Sequence, residues 1–141
     1  MDSNTYPNID FSQINEVDKM QTETLQILDA MIERANYVMQ WKFHINSSYR
    51  EGDPKSHGKG QAIDGYFYKD VPSDVPLADQ LIFALQFNWK GIGYYPHWNT
   101  PGIHIDNRDG IAWTKRRAIW RREKNGQYAV GFRGVSEALT A

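Results

Sequence analysis

The sequence lacks cysteine, carries almost no net charge and has no long hydrophobic run. Because none of its 141 residues is cysteine, disulfide bonds and thiolate metal sites are excluded. A formal net charge of -1 excludes strong overall attraction to nucleic acid or to an acidic membrane surface. No stretch approaches the roughly 18 consecutive apolar residues of a transmembrane helix, so we expect no membrane insertion.

The start of the chain, Met1 to Pro7, has no basic region and no apolar segment, so we expect no signal peptide. Its asparagines and other polar residues predict a flexible, extended N-terminal arm over residues 1–12. A composition that is 40% hydrophobic is sufficient for a buried core, and the length suits one domain. We therefore predict a single domain over residues 13–135, followed by a frayed tail over residues 136–141.

Two segments have the apolar spacing of helices. The first is predicted from residue 12 or 14 to residue 37 or 39. If it breaks around Lys19–Gln21, Thr22 or Thr24 could cap a second helix instead. Pro76 suits the first turn of another helix, and an apolar helix of this kind is buried on most sides. Its apolar positions are Leu77, Leu81, Ile82, Phe83, Ala84, Leu85 and Phe87.

Short segments with strand-like composition are separated by turn signals. The segments are Gln40–Ser48, Ala62–Tyr68, Gly91–Tyr95, Ile103–Asp106, Ala118–Glu123 and Gln127–Phe132. The last two are expected to pair as a hairpin, because Asn125-Gly126 accepts the positive φ of a tight turn. The predicted fold class is therefore α+β, with helices packed on a small, mostly antiparallel sheet.

Two short stretches, Ser56–Asp64 and Gly102–Asp106, contain residue types that bind zinc. Zinc accepts histidine nitrogen and carboxylate oxygen, and catalytic sites use three protein ligands and leave a fourth position for water. His57, Asp64 and His104 form such a set. Bound zinc lowers the pKa of its water to about 7, which makes hydroxide available near neutral pH.

Alternation along a strand places His104 and Asp106 on one face and Ile103 and Ile105 on the other. A polar site would then lie on one side of the sheet and the core on the other. Asp106 has two possible roles. It can orient a ligand histidine through a hydrogen bond, which fixes the tautomer of the ring, or it can act on the water.

Residues 57–64, His-x-x-Gly-x-Ala-x-Asp, and residues 102–106, Gly-x-His-x-Asp, resemble the signature of the zinc D-Ala-D-Ala carboxypeptidase family. That family includes bacteriophage L-alanyl-D-glutamate endolysins. Residues 47–50 are similar to its Ser-Gly-Tyr-Arg segment, and residues 91–96 to its Gly-x-Gly-x-Tyr-Pro strand. The resemblance covers about residues 47–113. It implies the hedgehog/DD-peptidase fold, with zinc bound by the three residues named above.

The resemblance also implies an activity, the hydrolysis of a peptidoglycan stem peptide by a zinc metallopeptidase. The bond would be D-Ala-D-Ala for a carboxypeptidase or L-Ala-D-Glu for an endopeptidase. The expected partner is the stem peptide, bound by a monomer, with no nucleic acid. A phage-encoded protein would act as an endolysin in cell wall degradation. It would reside in the host cytoplasm until a holin-type pore released it, or it would be a virion component.

Arg50 corresponds to a family arginine that contacts substrate. A guanidinium there can hold a substrate carboxylate or a developing oxyanion through two parallel hydrogen bonds. Arg50 could equally form a surface salt bridge with Glu51 or Asp53. Lys55 departs from the family pattern, because it occupies the position of the family serine and Ser56 comes one place later.

Pro101 is a second departure, since many family members have a Glu or Asp there as general base. His97 is the candidate to replace it, because a neutral imidazole transfers protons near neutral pH. His97 could instead be an exposed loop histidine. Pro101 also leaves an alternative function open, a non-catalytic zinc domain that binds a cell-wall peptide or a protein partner. Hedgehog-type signalling domains resemble the implied fold, and some of them keep zinc without demonstrated peptidase activity.

Two further features are not assigned to the zinc site. His44 lies on the polar face of the first predicted strand and is interpreted as solvent-facing or hydrogen-bonded. The basic segment over residues 113–124 includes Trp113 and Trp120. It could bind nucleic acid or an anionic wall polymer, or its charges could protect an edge strand from aggregation.

Overall fold

The computed structural model describes residues 5–109 and 118–130. These residues contain helices α1 (Thr22–Arg34) and α2 (Leu77–Ala84). They also contain strands β1 (Lys42–Ser47), β2 (Ala62–Tyr68), β3 (Gly91–Tyr95), β4 (Gly102–Asp106), β5 (Ala118–Arg122) and β6 (Tyr128–Val130). The predicted α+β class is therefore confirmed. Neither helix in the described ranges is long and apolar enough to cross a membrane.

The strands form one sheet in the order β1-β2-β4-β3-β5-β6. All neighbouring pairs are antiparallel except β3 and β5, which run parallel. The predicted hairpin is confirmed by the pairing of β5 with β6, but in its turn Gly126 has a positive φ of 89° and Asn125 does not. The parallel pair is possible because β3 and β5 are not joined by a tight turn, which connects only antiparallel strands.

The segment before α1 consists of short turns and not of a continuous helix. Two 3-10 turns, Phe11–Gln13 and Val17–Lys19, precede α1, and a π-helical turn, Ala35–Met39, follows it. The long helix predicted from residue 12 or 14 is wrong in its first part, and the alternative break at Lys19–Gln21 is confirmed. Glu16 has a φ of 48°, a left-handed conformation that a right-handed helix excludes.

The described part of the predicted N-terminal arm packs against the domain. Tyr6 and Ile9 are buried in the hydrophobic core. The backbone N–H of Asn8 donates a hydrogen bond to Asp29 of α1 at 2.9 Å. The prediction of a flexible arm is thus corrected for residues 5–12, because burying two large apolar side chains stabilises this segment on the core. The predicted tail, residues 136–141, lies outside the described residues.

One face of the sheet forms the core. Ile63 of β2, Ile105 of β4 and Ile92 of β3 are neighbours across the strands, and all three are fully buried. They share one hydrophobic cluster with Leu28 of α1 and Leu81 of α2. The opposite face of the sheet carries polar side chains, among them Asp64 and His104. We call it the site face.

Helix α2 buries a glutamine where the apolar pattern predicted an isoleucine. Ile82 is 47% exposed, whereas Gln80 is only 1% exposed. The Gln80 Oε1 accepts a hydrogen bond from the Phe67 backbone N–H at 2.8 Å, and its Nε2 donates to the Val75 carbonyl at 3.1 Å. Gln80 therefore satisfies the backbone of β2 and of the loop before α2.

Replacing Gln80 by leucine should lower the free energy of unfolding by about 2 kcal/mol, because the buried N–H of Phe67 and carbonyl of Val75 lose their partner. Urea denaturation measures the change. Ile82→Leu is the matched control on the same helix, and its exposed site predicts a change within about 0.5 kcal/mol. A Gln80→Leu protein as stable as the wild type would contradict the proposed contribution of these hydrogen bonds.

Candidate functional site

The predicted ligand residues meet on the site face of the sheet. One potential ligand atom from each of His57, Asp64 and His104 lies within 4.8 Å of the others, and all three residues are buried. Two imidazole nitrogens and a carboxylate oxygen form a suitable donor set for a divalent metal ion. The group brought together by the fold could therefore hold a metal ion.

Strand register positions two of these residues. Asp64 of β2 lies directly opposite His104 of β4, which in turn lies opposite Gly93 of β3. Gly93 pairs with Trp120 of β5. These four residues form one row across the site face, so the carboxylate, the imidazole and an indole are neighbours although they are far apart in the chain.

His57 reaches the row from a 3-10 turn, Ser56–Lys59, which ends just before β2. Two glycines allow this turn to pack closely against neighbouring backbone. A β-carbon added at Gly58 would collide with the carbonyl oxygen of Asp53, and one added at Gly60 would collide with that of Lys19. Both positions therefore need glycine, because the turn packs directly against the backbone of Asp53 and of Lys19.

The tautomer of His57 leaves Nε2 free to bind a metal ion. Its Nδ1 lies 2.7 Å from the carbonyl oxygen of Ser48, and a carbonyl only accepts, so Nδ1 carries the hydrogen. Nε2 is buried without a hydrogen-bond partner, 3.2 Å from Oδ2 of Asp64. An unpartnered lone pair that faces a carboxylate oxygen suits a metal ligand whose other nitrogen is oriented by the backbone.

His104 lies between two carboxylates. Its Nδ1 is 2.8 Å from Oδ1 of Asp64, and its Nε2 is 2.7 Å from Oδ2 of Asp106. Burial by itself would lower the pKa of His104, but the hydrogen bonds to Asp106 and Asp64 outweigh burial and raise the pKa. A carboxylate therefore fixes the His104 ring at each of its two nitrogens. Nδ1 is the nitrogen that faces Asp64 and so belongs to the ligand group.

Asp106 is fully buried and is held by Arg108. The backbone N–H and the Nε of Arg108 donate to Oδ1 at 3.0 and 2.9 Å, and its Nη2 donates to Oδ2 at 2.6 Å. Burial raises the pKa of Asp106, but the bonds from Arg108 and His104 lower it well below the usual range. Because both oxygens are engaged and the side chain is 0% exposed, the geometry favours the orienting role of Asp106 over action on water.

Arg50 forms the predicted salt bridge with Asp53, and it also contacts Asp64, which was not predicted. Its Nη2 lies 3.2 Å from Oδ2 of Asp64, and its Nη1 lies 3.7 Å from Oδ2 of Asp53. The Arg50 side chain is 50% exposed, so part of the guanidinium faces solvent above the ligand group. An arginine in this position can neutralise Asp64 and can still meet an anionic group of a ligand.

The ligand group opens into a cleft of about 1210 Å³. His97 lines the cleft from the exposed turn after β3, so the predicted base shares this space with the ligand residues. The lining contains six lysines and arginines and four aspartates and glutamates, with Asp64 among the latter. Such a charge balance favours a ligand that carries negative charge. His44 lies outside the metal-ligand group, with its ring 5.2 Å from that of Tyr66.

The sequence pattern did not predict three residues of the site, Arg108, Tyr95 and Trp120. The indole of Trp120 lies 5.2 Å from the His104 ring, and its Nε1 donates to the Tyr95 hydroxyl at 2.9 Å. The guanidinium of Arg108 lies 4.8 Å from the centre of the Trp120 ring. The spacing of Asp106 and Arg108 was a usable signal, but only the parallel pairing of β5 with β3 places Trp120 here.

Comparison of the chain with protein-family models, with curated proteins and with solved structures finds no match. Its function is therefore inferred from the chemistry of the site. The site combines a buried group of two histidines and one aspartate with a half-exposed arginine and a cleft rich in basic side chains. The described residues could therefore hold a metal ion where the cleft meets the sheet.

Proposed function

We propose that the protein is a zinc-dependent peptidase that hydrolyses a stem-peptide bond of peptidoglycan. The observation that carries the proposal is the buried group of His57, Asp64 and His104 at the cleft. The sequence resemblance to zinc D-Ala-D-Ala carboxypeptidases and L-alanyl-D-glutamate endolysins supports the class of substrate. The bond is D-Ala-D-Ala in a carboxypeptidase or L-Ala-D-Glu in an endopeptidase, and the hedgehog/DD-peptidase fold is part of the same proposal.

The residues present fit zinc. Zinc takes a donor set of two imidazoles and one carboxylate in known catalytic sites, and the unpartnered Nε2 of His57 is aimed into the group. When bound, zinc would supply an activated water and a polarised carbonyl. His57, Asp64 and His104 would hold the ion, and Asp106 would keep the His104 ring oriented through its Nε2.

The remaining roles fall to residues of the cleft wall. Arg50 meets a substrate carboxylate, because its exposed guanidinium lies next to Asp64. Stem peptides carry free carboxylates, which suits this cation. His97 takes the proton of the attacking water and passes it to the leaving amine, as an imidazole does near neutral pH. We propose that the protein acts as a monomer, without nucleic acid, and as a phage-type lytic enzyme.

A second candidate function is binding of a wall peptide or protein partner without cleavage. Pro101 favours it, since this residue immediately precedes β4 in the place where many members of the resembled family have an acid. The remaining candidate base, His97, lies on an exposed turn. Under this alternative the protein would bind zinc and peptide, but it would release no new termini from the cell wall.

Incubation of zinc-loaded protein with purified peptidoglycan should release new peptide termini, and a zinc chelator should prevent their release. Mass spectrometry identifies the bond. New L-Ala carboxyl and D-Glu amino ends mean an endopeptidase, whereas loss of terminal D-Ala alone means a carboxypeptidase. If protein shown to contain zinc cleaves no wall from several bacterial species, peptidase activity is overturned and the binding function is favoured.

A further inference from the structure

Tyr95 lies beside the ligand group on the site face. It follows Gly93 by two residues on β3, and Gly93 lies directly opposite His104. A β-carbon added at Gly93 would be 2.5 Å from Nε1 of Trp120 and 2.7 Å from Cε2 of Tyr95. Both rings therefore lie over Gly93, whose strand is hydrogen-bonded to the strand that carries His104.

The surrounding aromatic residues hold the Tyr95 ring. Trp98 stacks on it at a centroid distance of 4.4 Å and an interplanar angle of 16°. The Nε1 of Trp120 donates a hydrogen bond to the Tyr95 hydroxyl at 2.9 Å. Since Tyr95 and Trp98 both line the cleft, the phenol is a fixed group on the cleft wall, on the same sheet face as Asp64 and His104.

The hydroxyl proton of Tyr95 is available for donation. The indole N–H is a donor only, so its bond occupies an acceptor position of the phenol oxygen and leaves the phenol hydrogen free. In the free protein that hydrogen can bond to Tyr128, a residue that is 53% exposed and that a ligand can displace. Burial raises the pKa of Tyr95 to about 12, so the phenol keeps its hydrogen at neutral pH.

We propose that Tyr95 is a further catalytic residue whose hydroxyl donates a hydrogen bond to the oxyanion that develops on the scissile carbonyl. This inference rests on the proposed peptidase function. Water oxygen bonds to the carbonyl carbon, its proton passes to His97, and the carbonyl π electrons move to oxygen. When the carbonyl re-forms, the C–N bond breaks and the amine nitrogen takes the proton from His97. Tyr95 stabilises the negative oxygen and transfers no proton.

Tyr95→Phe removes the hydroxyl and keeps the ring that stacks on Trp98. We expect kcat for a stem peptide to fall about 100-fold, the usual effect of losing one oxyanion donor, with KM changed less than about 3-fold and the zinc content unchanged. Tyr94→Phe is the matched control, because Tyr94 is the neighbouring residue of β3 and is buried on the core face. Its kinetics should stay within about 2-fold of the wild type.

A binding measurement tests the same role without turnover. A phosphinate analogue of the scissile dipeptide mimics the oxyanion. Tyr95→Phe should therefore weaken the binding of this phosphinate by about the same factor by which it lowers kcat. Affinity for the product peptide should not change. Unchanged phosphinate affinity, or equal losses for phosphinate and product, would overturn the role of Tyr95 while leaving the peptidase function standing. A wild-type protein that binds phosphinate without cleaving peptidoglycan would overturn the function instead, and one that neither binds nor cleaves would overturn both.

Discussion

His104→Ala should abolish metal binding, whereas His44→Ala should leave it intact. Both substitutions remove a histidine from a strand of the same sheet, but only His104 contributes to the ligand group. Loss of residues that merely orient a ligand already costs about 10- to 100-fold in metal affinity, so loss of a ligand should cost more. Zinc content after dialysis, measured by mass spectrometry of the metal, and the affinity of the apoprotein for zinc test this expectation.

A second variant separates loss of the metal from loss of the fold. Asp64→Asn keeps the volume of the side chain and removes the charge that faces both histidines and Arg50. We expect this protein to fold, as judged by circular dichroism, and to lose zinc and peptidase activity. A folded Asp64→Asn or His104→Ala protein that still holds one zinc ion with wild-type affinity would show that the metal binds elsewhere.

Arg108→Ala should produce the second large effect, a loss of about 3 kcal/mol in the free energy of unfolding. Without the Arg108 side chain the carboxylate of Asp106 stays buried and loses two hydrogen bonds, whereas the backbone N–H of residue 108 still donates to it. Breaking a buried ion pair by removing one partner costs about 3–5 kcal/mol, and the partial exposure of Arg108 favours the lower value. Urea denaturation of the metal-free protein measures this loss in the free energy of unfolding.

The same variant should weaken zinc binding about 10-fold to 100-fold, because Asp106 then holds the His104 ring less firmly. Lys59→Ala is the matched control, since Lys59 pairs with Asp109 at 3.4 Å on the exposed surface of the same cleft. Losing that pair should leave the free energy of unfolding and the zinc affinity nearly unchanged, because solvent screens an exposed ion pair. Equal effects of the two variants would mean that Arg108 is an ordinary surface charge.

The local pattern of the chain was sufficient to predict the strands that carry the site. Alternation in β4 placed His104 and Asp106 together on one face, and the structure has both there, in hydrogen-bond contact. The spacing of His57, Asp64 and His104 was by itself a weak signal, and these residues were proposed as ligands chiefly because their segments resemble the signature of the zinc D-Ala-D-Ala carboxypeptidase family. The strands themselves depend on residues close in sequence, so a local pattern was enough to predict them.

Elements whose conformation depends on distant partners were predicted less well. The arm before α1 looked polar, but Tyr6 and Ile9 bury against the core. On α2 the exposed Ile82 and the buried Gln80 reverse the apolar pattern, because Phe67 of β2 needs a hydrogen-bond acceptor at that point. Composition cannot reveal such a need, since it arises from the backbone of another element.

The sequence by itself thus determined the fold class, the strands and the three candidate ligands. Only the tertiary structure decided which residues surround these ligands. Arg108 donates hydrogen bonds to Asp106, and the rings of Trp120 and Tyr95 lie over Gly93. The parallel pairing of β3 with β5 brings Trp120 to His104. The physical reason is that no tight turn connects β3 with β5. The packing of the whole sheet therefore selects their pairing, and no local sequence pattern encodes that pairing.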